Sequence, residues 1–196
     1  MPRTESANQQ IRDERRDHIL ATAATLIADH GLASLKIGDL AAAAGMSQGL
    51  FYRYFANKDE VFIALVDQAA TELTNLMQEG LAGAGPPFQQ LVVLTEYLLA
   101  SLRQHPRRHQ LILQGLAQPG PAQSRVQAAV AILTRDLGAL IRAGQRAGTI
   151  VQGDPVQLLD LYRACLLGLA SSVLFFGAAE ADRLPTAAMI VRMFTP

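Results

Sequence analysis

Apolar spacing constrains this chain more than any other feature. Val126, Val130, Leu133, Leu137 and Leu140 step by four, three, four and three, which is the repeat of one helix face. Leu91, Val92, Thr95, Leu98, Leu99 and Leu102 follow the same rule, as do Val61, Leu65, Ala69, Leu73 and Leu76. Ala and Leu dominate the sequence, and both favour helix. No segment alternates apolar and polar over six or more residues between turn residues, so no strand is expected. The pattern predicts an all-α chain of about nine helices without an internal repeat.

Glycine, proline and capping residues place the ends. A first helix is expected over about 9–29, with Ile11, Ile19, Ala23, Leu26 and Ile27 in phase, Gly31 as its cap and residues 1–8 frayed. Short helices over 37–44 and 47–54 flank Gly45. Asn57 and Glu60 make a variant of the capping box and open a helix to about residue 79. Residues 80–87, GLAGAGPP, read as a linker. Helices over 88–104 and 107–117 follow, then the long amphipathic one to about 147, stopped by Gly148. Asp154-Pro155 is an N-cap with proline behind it; its helix is expected to reach about 179. A last helix covers about 185–194.

Composition excludes several classes. Of 196 residues, 50% are hydrophobic and 17% charged, which rules out a disordered or fibrous chain. Lys+Arg and Asp+Glu are 17 each, so no global charge advertises nucleic acid or a basic partner. Cys165 is the only cysteine, leaving no disulfide framework and no cysteine zinc site. The start, MPRTESANQQ, has no apolar h-region, so no signal peptide is expected and the cytoplasm is the expected home. Residues 164–179 are apolar but fall short of the roughly 20 residues a bilayer requires. With Asp160 and Arg163 just upstream and Glu180 directly after, they are expected to form a helix buried on most of its circumference, with no membrane.

Two short helices joined through Gly45 fit a helix-turn-helix, and equally an αα-hairpin inside a larger bundle. The inward set would be Leu40, Ala44, Met46, Phe51 and Tyr54, with small Ala41 at the crossing and Phe51 and Phe55 in the core. The stretch LAAAAGMSQGLFYRYFANKDEVFIALVD resembles the DNA-binding domain of TetR-family transcriptional regulators. The matching features are Leu40-Ala41, Ala44-Gly45, Ser47, Gly49, Tyr52 to Phe55, and Lys58. The likeness covers about residues 11–66; beyond them only helix count, length and apolar character agree.

That resemblance implies a three-helix DNA-binding domain over 9–56, a connecting helix over 57–79, and a ligand-binding and dimerisation bundle over 80–196. The recognition helix, about 47–54, would enter the major groove of double-stranded operator DNA. Ser47, Gln48 and Gly49 open it; Gln48 can read adenine bidentately and Gly49 lets the backbone approach. Tyr52 and Tyr54 match phosphate-contacting positions, and Arg53 is placed to reach a base or a phosphate. Lys58 would add charge near helix-terminal N–H groups, and Lys36 would touch the flanking backbone. These are both of the chain's lysines. Residues 1–60 nonetheless hold seven Lys/Arg against eight Asp/Glu, so non-specific affinity should be low. Arg12, Arg15 and Arg16, beside Asp13, Glu14 and Asp17, read as a solvated face.

The resemblance further implies a homodimer and a small effector. Gly168, Ser171, Ser172, Leu174, Met189, Ile190, Met193 and Phe194 are the expected dimer interface. Polar or aromatic residues on apolar stretches are the pocket candidates: Tyr97, His109, Gln114, Tyr162, Arg163, Cys165 and Phe175. Low charge there argues for an apolar effector. No metal is expected, because His105 and His109 flank Pro106 and do not share a helical face. No cofactor is expected either. The functional expectation is a ligand-responsive repressor released from a near-palindromic operator. The rival is a helical scaffold or small-molecule carrier. A remote third is a hydrolase, since Gly45 to Gly49 spells G-x-S-x-G. That elbow needs a preceding strand, and an alanine-rich helix is expected instead, so no catalytic residue is assigned.

Overall fold

The computed structural model describes residues 5–83 and 85–196. Residues 1–4, expected to fray, and Ala84 of the expected linker lie outside the described residues. Among the described residues there are ten α-helices, two short 3-10 turns and no strand. The chain forms two compact units that divide after Gln68.

The first unit holds α1 (Glu5–His30), the 3-10 turn Leu32–Ser34, α2 (Ile37–Ala43), α3 (Gln48–Phe51) and the start of α4 (Lys58–Leu81). Its first helix begins inside the stretch expected to fray. Ile19, Leu20, Ala23 and Ile27 are buried along one face of α1, and Leu40, Ala41, Phe51, Phe55, Val61 and Phe62 are buried with them. Burial of this apolar face stabilises the unit by removing it from water.

The α2–α3 turn is a Schellman motif. Gly45 N–H donates to the Ala42 carbonyl at 3.0 Å and Met46 N–H to the Ala41 carbonyl at 2.9 Å. Gly45 takes a φ of 67°, which only glycine adopts without strain. Ser47 then caps α3, its Oγ accepting from Leu50 N–H at 3.2 Å. The expected recognition helix over 47–54 is corrected here: α-helix covers Gln48–Phe51 only. Beyond it Arg53 and Tyr54 N–H bond three residues back, to Leu50 and Phe51, because Phe51 and Phe55 are both drawn into the core. The α4 cap forms as expected. Asn57 Oδ1 accepts from Glu60 N–H at 2.9 Å, and the Glu60 carboxylate reaches past Asn57 to Ala56 N–H at 2.7 Å.

The second unit holds the rest of α4, then α5 (Pro87–Gln104), α6 (Pro106–Ala117), α7 (Pro121–Arg146), α8 (Pro155–Phe176), α9 (Ala178–Ala181) and α10 (Ala187–Val191) with its 3-10 extension Arg192–Phe194. Helices α5 to α8 each open on proline, whose missing N–H costs nothing in a first turn. Asp154 caps α8, accepting from Val156 N–H at 2.8 Å. Leu91, Leu94, Leu98, Leu137, Ile141, Tyr162, Ile190 and Phe194 belong to one core. The Phe194 ring meets Tyr162 edge-on at 5.9 Å, and its carbonyl accepts from Val151 N–H at 2.8 Å.

Three further expectations need correcting. The helix expected to reach residue 179 ends at Phe176, because Gly177 turns the chain at a φ of 86°; the short α9 beyond it makes ten helices rather than nine. Ile190 and Phe194, expected at a dimer interface, lie in this chain's own core. Most consequential is α8. It was expected to be buried on most of its circumference, yet only 22% of its most apolar window is buried. It is the one described helix long and apolar enough to cross a membrane by length and composition. The chain's own helices cover one side of it, through Leu159, Tyr162, Ala170 and Val173, and leave Val156, Leu161, Leu167, Phe175 and Phe176 exposed.

Candidate nucleic-acid interface and internal cavity

In the first unit the Schellman turn and the Ser47 cap together present the start of α3 to solvent. Ser47, Gln48, Gly49, Tyr52 and Arg53 are all exposed. Tyr52 is half exposed while its ring edge rests on Phe51 at 6.0 Å. The core therefore holds Phe51 while Tyr52 stays half exposed beside it. Tyr54 is half-buried, which suits a ring in the core margin with a hydroxyl at the surface. Lys36 is exposed at the N-cap of α2. Lys58 is half-buried, and its Nζ donates to the Ala33 carbonyl at 3.3 Å. It ties α4 to the turn after α1 as well as lying near the expected interface. On α1, the Arg16 guanidinium sits 5.1 Å over the Phe55 ring, a contact that sequence spacing did not suggest.

The G-x-S-x-G stretch forms no nucleophile elbow. Helix α2 precedes it, and the Ser47 hydroxyl is engaged as a helix cap.

The second unit holds a partly open cavity of about 400 Å³ walled by α4 to α8. Its lining is almost wholly apolar, with Leu73, Leu98, Ile112, Leu133 and Leu137 among its members. This size and polarity suit a small-molecule pocket. Of the seven pocket candidates, His109, Tyr162 and Arg163 line it. Tyr97, Gln114, Cys165 and Phe175 do not. Phe175 is 82% exposed, and Gln114 keeps its Oε1 buried without a hydrogen-bond partner.

The polar groups of the wall are mostly committed. Thr95 donates its hydroxyl hydrogen to the Leu91 carbonyl at 2.6 Å and so accepts from Tyr162 O–H at 2.8 Å. Burial pushes the Tyr162 phenol up to about 12, so it stays neutral. His109 is drawn down to about 4, first by burial and then by the nearby charges of Arg108 and His105; it too is neutral at pH 7. At the exposed side of α8, Asp160 and Arg163 both line the cavity and pair loosely at 3.5 Å. Thr134 and Asp160 were not foreseen, and the apolar wall carries no signal that separates it from ordinary core.

These features define a class: an all-helical protein with an N-terminal helix-turn-helix and a second helical unit around an apolar cavity. Residues 19–65 match the model of the bacterial regulatory proteins, tetR family. The HTH-type transcriptional regulator EthR of Mycobacterium tuberculosis is 36% identical over 78 residues, which cover 40% of this chain and 36% of that protein. The chain thus spans about a third of the length of that relative. A TetR transcription regulator from Haloarcula marismortui superposes with a TM-score of 0.79 at 17% identity, over 94% of this chain and 100% of that one. AibR, solved in complex with isovaleryl coenzyme A and operator DNA, superposes with a TM-score of 0.73 at 19% identity, over 93% of this chain and 99% of that one. The sequence match to the tetR family model is thus confined to the helix-turn-helix region, while 94% of the chain shares the fold of a solved TetR transcription regulator.

Proposed function

We propose that this protein is a ligand-responsive, DNA-binding transcriptional repressor that acts as a homodimer in the cytoplasm. The observation that carries the reading is the exposed surface of Ser47, Gln48, Gly49, Tyr52 and Arg53 on a rigidly capped α3. A helix with exposed leading residues fits a major groove. Gln48 and Arg53 supply base-reading groups, and Ser47, Tyr52, Tyr54, Lys36 and Lys58 supply phosphate contacts. The apolar cavity supports an effector site. AibR is described with both a ligand and operator DNA, and the same pairing is proposed for this chain.

Dimerisation is supported by the bare side of α8. Leu161, Ala164, Gly168, Ser171 and Phe175 recur by three and four along it, a knobs-into-holes spacing. Antiparallel pairing about a two-fold axis at Gly168 would set Leu161 of one copy against Phe175 of the other. The small residues Ala164, Gly168, Ser171 and Ser172 allow close approach, and Met189 and Met193 extend the apolar surface. Leu174 is half-buried beside it.

Selection from random duplex DNA tests the reading. An enriched palindrome with half-sites about 34–36 Å apart is expected from one recognition helix per subunit. Gln48→Ala should change which bases are retained, while Tyr52→Phe should weaken all sequences alike. No enrichment, with the protein stripped of ligand by refolding, would favour the scaffold or carrier reading.

A further inference from the structure

The polar groups behind the cavity wall form a one-way chain of hydrogen bonds. It starts at Glu72 on α4, which accepts from Arg108 Nε at 2.8 Å. Arg108 Nη1 donates to Ser101 Oγ at 3.1 Å. Ser101 Oγ lies 3.1 Å from His109 Nε2. A guanidinium only donates, so Ser101 must accept from Arg108, and a serine has one hydrogen of its own. Ser101 is almost fully buried, and His109 Nε2 is the acceptor within its reach. The hydrogen therefore goes to Nε2. A neutral imidazole whose Nε2 accepts carries its own hydrogen on Nδ1. That Nδ1–H has no protein partner among the described residues, and the ring is part of the cavity wall. The other polar hydrogen deep in the wall, on Tyr162, is spent on Thr95.

We propose that the cavity takes a neutral, largely apolar molecule bearing one hydrogen-bond acceptor, a carbonyl or ether oxygen, which accepts from His109 Nδ1–H. This rests on the cavity being the effector site and adds the chemistry that the site selects. A carboxylate gains little there. Arg163 is already paired with Asp160 at 3.5 Å, so these two charged lining residues sum to zero. An ammonium ion would find one carboxylate in the lining, Asp160, already paired with Arg163, and hydrocarbon over most of the rest, and burying an unpaired charge is costly.

The test titrates four matched probes against the full chain: hexylbenzene, hexanophenone, phenylhexanoate and phenylhexylammonium. Hexanophenone should bind tightest. His109→Phe should weaken it about five- to tenfold, the worth of one hydrogen bond, while hexylbenzene binding holds. His109→Asn, which places an amide N–H near the lost Nδ1–H, should recover part of the difference. Nitrogen NMR of the unsubstituted protein should find the hydrogen on Nδ1, a readout that needs no variant. Equal binding of all four probes, a preference for a charged one, or an Nε2–H tautomer overturns the proposal while leaving the cavity as a ligand site. Binding of none of them overturns the effector-cavity reading and the proposal together.

Discussion

His109 shows how a single side chain acquires its role from neighbours on other elements. Its ordinary pKa of 6.5 falls to about 4 because its cavity-side position excludes water and Arg108 adds positive charge. Below pH 6.5 the unfolded chain takes up a proton that the folded chain refuses, so stability rises with pH through this window. The contribution is complete above the unfolded value and is lost as pH falls towards 4, a full swing of ~3 kcal/mol. Thermal melts at pH ~7.5 and pH ~4.5 should show the unsubstituted protein losing about 2–3 kcal/mol more than His109→Phe does on acidification. Equal losses would mean the imidazole titrates freely in the folded state. The sequence exposed His109 as a polar residue on an apolar stretch, together with Tyr162 and Arg163. It did not expose Ser101 or Arg108 as their partners, because those contacts cross the corner at His105-Pro106. Tyr97 and Phe175 looked equivalent to Tyr162 in sequence; only packing separates an aromatic turned inward from one left in solvent.

At the level of elements, boundaries set by local chemistry were the legible ones. Gly45, Asn57, Asp154 and Pro155 act on backbone groups a few residues away, so their roles follow from their order in the chain. Boundaries set by tertiary packing were not legible. Residues 52–54 have helical propensity, but burial of Phe51 and Phe55 together tightens the chain beyond α3. Gly45 offers a clean measurement. A Cβ added there meets nothing within 4 Å, so Gly45→Ala probes the backbone alone. With φ at 67°, the substitution should cost about 1–2 kcal/mol in the left-handed region. Urea denaturation of the two proteins measures it, and under the proposed function operator affinity should fall as well, since the turn fixes the angle between α2 and α3. A loss near zero would mean the turn can close another way.

For the whole molecule, the all-α class could be read from apolar spacing, and the helix-turn-helix and the second helical part only from the resemblance that the motif over residues 40–58 carries. The exposure of α8 could not, because hydropathy reports what a helix is made of and not what covers it. Under the proposed pairing, Leu161→Arg and Phe175→Arg should each yield monomers that keep their helical content. Sedimentation velocity with circular dichroism checks both. Dimers persisting in both variants would place the interface elsewhere. Met189, 66% exposed, lies outside the α8 stripe, and a charge there should weaken pairing less.

Asp160, Arg163, Ala164 and Leu167 line the cavity from α8 while remaining exposed on its outer side. One wall of the pocket is therefore also the outside of an uncovered helix. Under the proposed pairing, a second copy would lie against that wall, and occupancy of the pocket and association of two chains become linked equilibria. Effector affinity then depends on how concentrated the protein is. The copy number of the regulator in a cell would set the effector dose at which it responds.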